Sequence, residues 1–212
     1  MIIKKYSEIK KYINEGDVIL FRGKGLFSKL IGSYTETPYS HVGLASWVNG
    51  NSNTDEGVLE ILEFTEGSGG RAVNFEQMVK KNPKKIDIYR PNPSFFIIEY
   101  SEKENKTIIK EKIFSGKTVT TIMRKMTGLP YGWKRIWWIF RHKLFLYKIF
   151  MDTNKLRLDS LGGEMIYPVC STAVAYSFNC NGYDLVKNRS DEWTEPGEIA
   201  KSTQLNYLFT LE

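Results

Sequence analysis

Two hydrophobic rhythms run along the chain, and the switches between them set the predicted elements. Residues 5–14 carry Tyr6, Ile9 and Ile13 at helical spacing, which predicts a short helix with one apolar side. "GDVILF" (16–21) follows a turn and reads as a strand. "SHVGLASWV" (40–48) and "VLEILEF" (58–64) are β-rich runs separated by the turn-forming "NGNSNTDEG". That is the pattern of a hairpin with a long loop. "KKIDIYRP" (84–91) supplies a further strand, stopped by Pro91.

Residues 101–127 read as helical, with Ile108, Ile109 and Ile113 on one face, a break at Ser115–Gly116 and a second helix through Met126. "TGLPYGW" is a loop, and 133–150 a helix rich in Trp, Lys and Arg. A last clear helix starts at Cys170 behind Pro168 and ends near Asn181–Gly182, and the tail holds a loop and one short element. No repeat or low-complexity linker interrupts the sequence. The reading is one α+β domain over residues 1–212, with a Trp/Lys-rich helical insertion at about 133–160.

Composition narrows the function classes. With 212 residues, 42% hydrophobic and 25% charged, the chain can bury a sizeable core and is not of the disordered type. Its 30 basic and 24 acidic residues give +6. Runs such as "YSEKENKTIIKEK" mix the two signs, which marks a solvated face rather than a nucleic-acid footprint. Nucleic acid is therefore not an expected partner. "GKG" (23–25) lacks the Gly-Lys-Ser/Thr half of a phosphate loop, so nucleotide binding is not expected either.

The N-terminal lysines lead into no apolar segment, so no secretory signal is visible, and a reduced, cytoplasmic setting is the expectation. "IWWIFRHKLFLYKIF" is too short and too charged to span a bilayer unaided.

The chemistry concentrates on very few residues. Cys170 and Cys180, if on one helix, lie about 15 Å apart and cannot be bridged. Cys170 sits where a helix N-terminus would stabilise a thiolate, and where unpaired N–H groups could receive an oxyanion. Cys180, at the opposite pole, reads as a core residue. The two histidines are His41 and His142. His142 is flanked by cations that oppose its protonation and reads as a packing residue. His41 begins a strand, with Gly43 on its own face removing bulk beside the imidazole. Either Glu60 or Glu63 could orient that ring; their difference in parity allows only one onto the His41 face. Zinc needs three or four closely spaced ligands, and neither CxxC nor HxxxH occurs, so no metal and no cofactor is expected.

Taken in order, "YSHVGL", "VLEILEFTEGSGGRAV", "GLPYGW" and "CSTAVAYSF" resemble the circularly permuted NlpC-type papain-like hydrolases. This group includes the YiiX/YebB-like proteins and, more distantly, the lecithin:retinol acyltransferases. The histidine precedes the cysteine, which is the permuted order. The resemblance covers about residues 14–90 and 118–185 and implies an antiparallel half-barrel packed against the cysteine helix. It further implies Cys170 as nucleophile, His41 as general base and acid, and Tyr131 near the oxyanion. Glu63, just before the Gly-rich turn, is the implied third member; a Glu here departs from the Asn or second His of other NlpC-type enzymes.

The implied substrate is an amide or acyl compound: a peptide, a cell-wall fragment, an N-acyl group or a lipid. Hydrolysis, acyl transfer and a catalytically inactive binding module all remain compatible with the residues. The aromatic and cationic segment 133–160 reads as a core-flanking helix with snorkelling lysines, or as a patch that meets a membrane surface.

Overall fold

The computed structural model describes residues 2–23, 37–52, 56–81, 86–101, 105–133, 167–187 and 189–211. Nine strands are present among them: β1 (Ile3–Lys4), β2 (Val18–Arg22), β3 (Tyr39–Asn51), β4 (Glu56–Thr65), β5 (Gly69–Asn74), β6 (Ile86–Pro91), β7 (Ser94–Ser101), β8 (Lys106–Ile113) and β9 (Leu205–Leu211). The helices are α1 (Tyr6–Ile9), α2 (Phe75–Lys81), α3 (Gly116–Lys125), α4 (Cys170–Asn179) and α5 (Pro196–Ala200). Seven strands form one sheet in the order β1-β9-β6-β2-β3-β4-β5, and β7 and β8 form a separate hairpin. Only the edge pair β1–β9 is parallel; all other pairings are antiparallel. The architecture is α+β with a mostly antiparallel sheet.

The central strands are apolar on both faces, so the sheet is covered on both sides. On one side Val18, Leu20, Val42, Leu44, Leu62 and Phe64 pack with Val119 and Met123 of α3 and with Cys170, Ala173, Val174 and Phe178 of α4. On the other, Ile19, Ala45, Trp47, Leu59, Ile61, Ile86 and Ile88 pack with Ile9, Ile13 and the α2 residues Phe75 and Val79. Helix α2, absent from the sequence reading, is a short amphipathic turn whose Phe75 and Val79 share one side at i,i+4.

The helix expected from residue 101 is not there. Residues 106–113 form β8, paired with β7 in eight unbroken steps from Ser94↔Ile113 to Ser101↔Lys106. Four β-branched residues (Thr107, Ile108, Ile109, Ile113) favour the extended chain, and Asn105 turns it at φ 50°. Helix starts only at Gly116, where the Ser115 hydroxyl accepts from Thr118 N–H. Cys180 is also not a core residue: it is exposed, at the C-cap of α4. The "GKG" segment beyond Gly23, His142 and all of the 133–160 segment except Trp133 lie outside the described residues. Among those described, no helix is long and apolar enough to cross a membrane.

Under the sheet lies a buried carboxylate with full hydrogen bonding. Asp87, with no exposure, accepts from Arg22 Nε (2.7 Å), the Tyr39 hydroxyl (2.6 Å) and the Thr210 hydroxyl. It ties β6 to β2, β3 and β9. Removing it leaves a cation and two hydroxyls without their acceptor, a loss that outweighs what the intact pair contributes. Asp87→Ala is expected to cost about 3 kcal/mol, the low end of the range for a broken buried pair, because Arg22 can still reach water. Urea unfolding of the two proteins checks this; equal midpoints would show that the network contributes nothing.

Candidate active site

The site is built across three adjacent strands and then closed by a helix and a loop. In β4, Glu63 stands directly opposite Gly43 of β3 on one side and Arg71 of β5 on the other. His41, two residues before Gly43, shares the Glu63 face. A Cβ at Gly43 would come within 2.7 Å of the Leu62 carbonyl and 2.8 Å of Ile61 Cδ1, so only glycine fits between the two strands here. The result is a short line of charge: His41 Nε2 lies 2.7 Å from Glu63 Oε2, while Arg71 donates to Glu63 Oε1 from Nε (2.9 Å) and Nη2 (2.6 Å). The Glu63 side chain is 1% exposed, against 22% for His41 and 38% for Arg71. Glu60 points to the opposite face, where it accepts from Arg124 of α3 (2.9 Å).

His41 stands where the ladder loses its strict alternation. Phe21 pairs with His41 but Arg22 with Tyr39, leaving Ser40 as an extra residue. In consequence Tyr39 and Val42, three apart, both belong to the core that holds Cys170. The His41 ring tilts against Phe21 of the other core at 5.3 Å between centroids, and it also lies in hydrogen-bonding reach of the Cys170 sulfur. With Nε2 engaged by Glu63, Nδ1 is the nitrogen left for that sulfur.

Cys170 is the first residue of α4. Val169 before it is extended (φ −101°, ψ 174°), and no side chain caps the helix. The N-terminal N–H groups and the helix dipole therefore point at the sulfur and its surroundings rather than at a capping oxygen.

Tyr131 arrives on a loop fixed at both ends. Gly70 N–H donates to Leu129 O (2.9 Å) and Gly128 N–H to Gly70 O (2.7 Å), binding the loop to β5. Gly132 N–H donates to Pro168 O (3.1 Å), binding it to the segment that leads into Cys170. A Cβ on Gly132 would lie 2.1 Å from the Tyr167 carbonyl oxygen. Tyr131 in turn meets the edge of Trp133 at 5.5 Å.

The electrostatics follow from this packing. Burial disfavours charge on His41, but the Cys170 sulfur, and then Glu63, outweigh it and push the ring's pKa up to about 10. Burial likewise opposes charge on Glu63, yet His41 and then Arg71 hold its carboxyl below the usual range. Burial raises the Tyr131 hydroxyl, and the charges of Cys170 and Glu66 raise it further, so it remains a donor.

The four residues singled out in the sequence, Cys170, His41, Glu63 and Tyr131, thus lie together. Arg71 was not among them. Its place is set by the cross-strand pairing with Glu63 around the turn 66–68, which no local pattern in the sequence marks.

No protein-family model matches the sequence, and no curated protein does. Among solved structures, the fold is similar to the crystal structure of the metalloprotein YiiX from Escherichia coli O157:H7, with a TM-score of 0.56 over 93% of this chain and 97% of that one. The two sequences are 14% identical. The relationship is one of fold: a YiiX-like α+β architecture.

Two measurements test the geometry. The His41 ring should hold its proton through neutral pH, with an NMR titration midpoint near 10. Its folded pKa stands above the ordinary 6.5, so the stability it contributes is full below pH 6.5 and is lost as pH rises through about 10. Glu63→Gln should move the midpoint down; a wild-type midpoint near 6.5 would show that the charged neighbours are not in place. Second, Gly132→Ala should displace the Tyr131 loop and destabilise the fold by about 1–3 kcal/mol, the cost of overpacking. Unchanged thermal stability and an unchanged Tyr131 environment by NMR would count against the close approach.

Proposed function

We propose that this protein is a cysteine hydrolase of the permuted papain-like, NlpC-type kind, acting on an amide bond. The observation that carries the proposal is the His41 imidazole, held between a buried carboxylate and the sulfur at a helix N-terminus. A ring protonated on both nitrogens donates from Nε2 to Glu63 and from Nδ1 to the sulfur, and attack on a carbonyl proceeds from the ion pair of imidazolium and thiolate.

The reaction runs in two halves. The Cys170 sulfur attacks the carbonyl carbon, and the electron pair of the C=O bond moves onto oxygen. That oxygen takes hydrogen bonds from the Cys170 N–H and the Tyr131 hydroxyl. His41 then gives its Nδ1 proton to the departing amine as the C–N bond breaks, leaving a thioester on Cys170. In the second half the neutral ring takes a proton from water, and the hydroxide oxygen displaces the sulfur, releasing a carboxylic acid and restoring the ion pair. Glu63, itself fixed by Arg71, keeps the ring in one orientation throughout. Trp133, 50% exposed beside Tyr131, offers an apolar wall that suits an acyl chain, so transfer of the acyl group to another acceptor shares the same first half.

The similarity to a protein named as a metalloprotein raises a metal as the rival chemistry. The donor set here does not fit one. Among the described residues no three His, Cys, Asp or Glu side chains group around a common point. Both ring nitrogens of His41 are engaged, by Glu63 and by Cys170, and the second Glu63 oxygen is taken by Arg71.

A small thiol-reactive acyl or epoxide probe, read by mass spectrometry, tests the proposal. Cys180 is an internal control: it is exposed, whereas Cys170 is buried. Cys170 should nevertheless react faster, and His41→Ala should slow it by roughly 100-fold, the scale of a lost acid–base group. Labelling that favours Cys180 and ignores His41→Ala would remove the enzyme reading.

A further inference from the structure

We infer that the β7–β8 hairpin is a dimerisation surface, and that its partner is a second copy of this chain. The register settles which side chains lie together: the rows Ser94/Ile113, Phe96/Glu111, Ile98/Ile109 and Tyr100/Thr107 all point to one side. That side is open to solvent. Phe96 is 72% exposed, Ile98 75%, Tyr100 62%, Ile109 72% and Ile113 83%. The opposite side is the one anchored to the molecule, through Phe95, whose ring lies 4.6 Å from Tyr183, and through Ile97. Its remaining positions carry the Glu99–Lys110 and Glu99–Lys112 ion pairs. Of the charged residues in the two strands only Glu111 stands on the free side, among five large exposed apolar residues, the reverse of what a solvated hairpin requires.

Area and shape favour a second copy over other occupants. Five large side chains, each more than three-fifths exposed, offer roughly 600 Å² of apolar surface, at the upper end of what a monomer leaves bare. The face-to-face pairing of two such hairpins comes close to the ~800 Å² per partner of a standard interface. A two-fold axis through the central Ile98/Ile109 row brings like against like there, as an isologous contact demands. The same axis places the Phe96/Glu111 row of one copy over the Tyr100/Thr107 row of the other. Glu111, the one carboxylate on this face, then lies over the Thr107 hydroxyl of the other copy, which can donate to it, the Tyr100 hydroxyl already donating to Asn105. A hydrocarbon layer would give that carboxylate no donor.

The test is the mass of the full chain in solution, by light scattering on a sizing column across a wide range of concentration. The expected result is twice the chain mass, falling to a single chain for Ile98→Lys and, separately, for Ile109→Glu. Both sites are exposed, so the fold should survive, as circular dichroism will show. A Glu111→Lys variant should weaken the dimer without adding an apolar-to-polar change. A wild-type mass of one chain at every concentration overturns the proposal, as does a dimer that survives both isoleucine substitutions. Co-sedimentation of a monomer with phosphatidylserine vesicles, lost in Ile98→Lys, would likewise overturn it and give the face to a lipid surface.

Discussion

A carboxylate with almost no access to water has to be answered on every side, and Glu63 is the point on which the rest of the site depends. Its two oxygens divide the work: one faces the imidazole and the other the guanidinium. Isolated at that depth it would take up a proton. Flanked by two cations its carboxyl is held below the usual range, and its negative charge adds to that of the Cys170 sulfur in favouring a positive ring at His41. The three residues come from three consecutive strands, Glu63 and Arg71 as direct partners and His41 two residues from Glu63's other partner Gly43, so the sheet's own hydrogen bonds set their spacing. A slip of β4 by one residue would turn Glu63 to the far face and set Leu62 or Phe64 opposite Gly43 in its place.

The two cores matter for the same reason. His41 touches Phe21 of one core and Cys170 of the other, so the ring bridges two packed layers that the sheet otherwise keeps apart. The additional residue Ser40 makes this possible by interrupting the alternation at the strand's start. Helix α4 then brings the sulfur to a place fixed by Ala173, Val174 and Phe178, all buried in the sheet-facing core. Position is thus set by packing on one side and by charge on the other, and neither the helix nor the strand alone would produce the pair.

Much of this was legible in the residues. A cysteine behind a proline at the head of a small-residue helix, and a strand-borne histidine beside a glycine, were visible without coordinates. So was the choice between Glu60 and Glu63, though not its answer, because register cannot be counted through a loop of unknown pairing. The hairpin was misread because Ile108, Ile109 and Ile113 fit a helical face as well as a strand of β-branched residues, and only pairing with 94–101 decides between them. Cys180 was assigned to the core from its place near the end of an apolar helix, but it is the C-cap just past Asn179, on the exposed side beyond the buried Phe178. Arg71 depends wholly on a cross-strand partner, which no local pattern reveals.

The bond from Gly132 N–H to Pro168 O has a consequence for how such a protein can change. It brings residues 132 and 168 side by side. Because the bond runs from backbone to backbone, a change of side chain at either position leaves its donor and acceptor in place, proline at 132 excepted. The Tyr131 loop and the head of the cysteine helix are thus pinned together by atoms that substitution seldom removes.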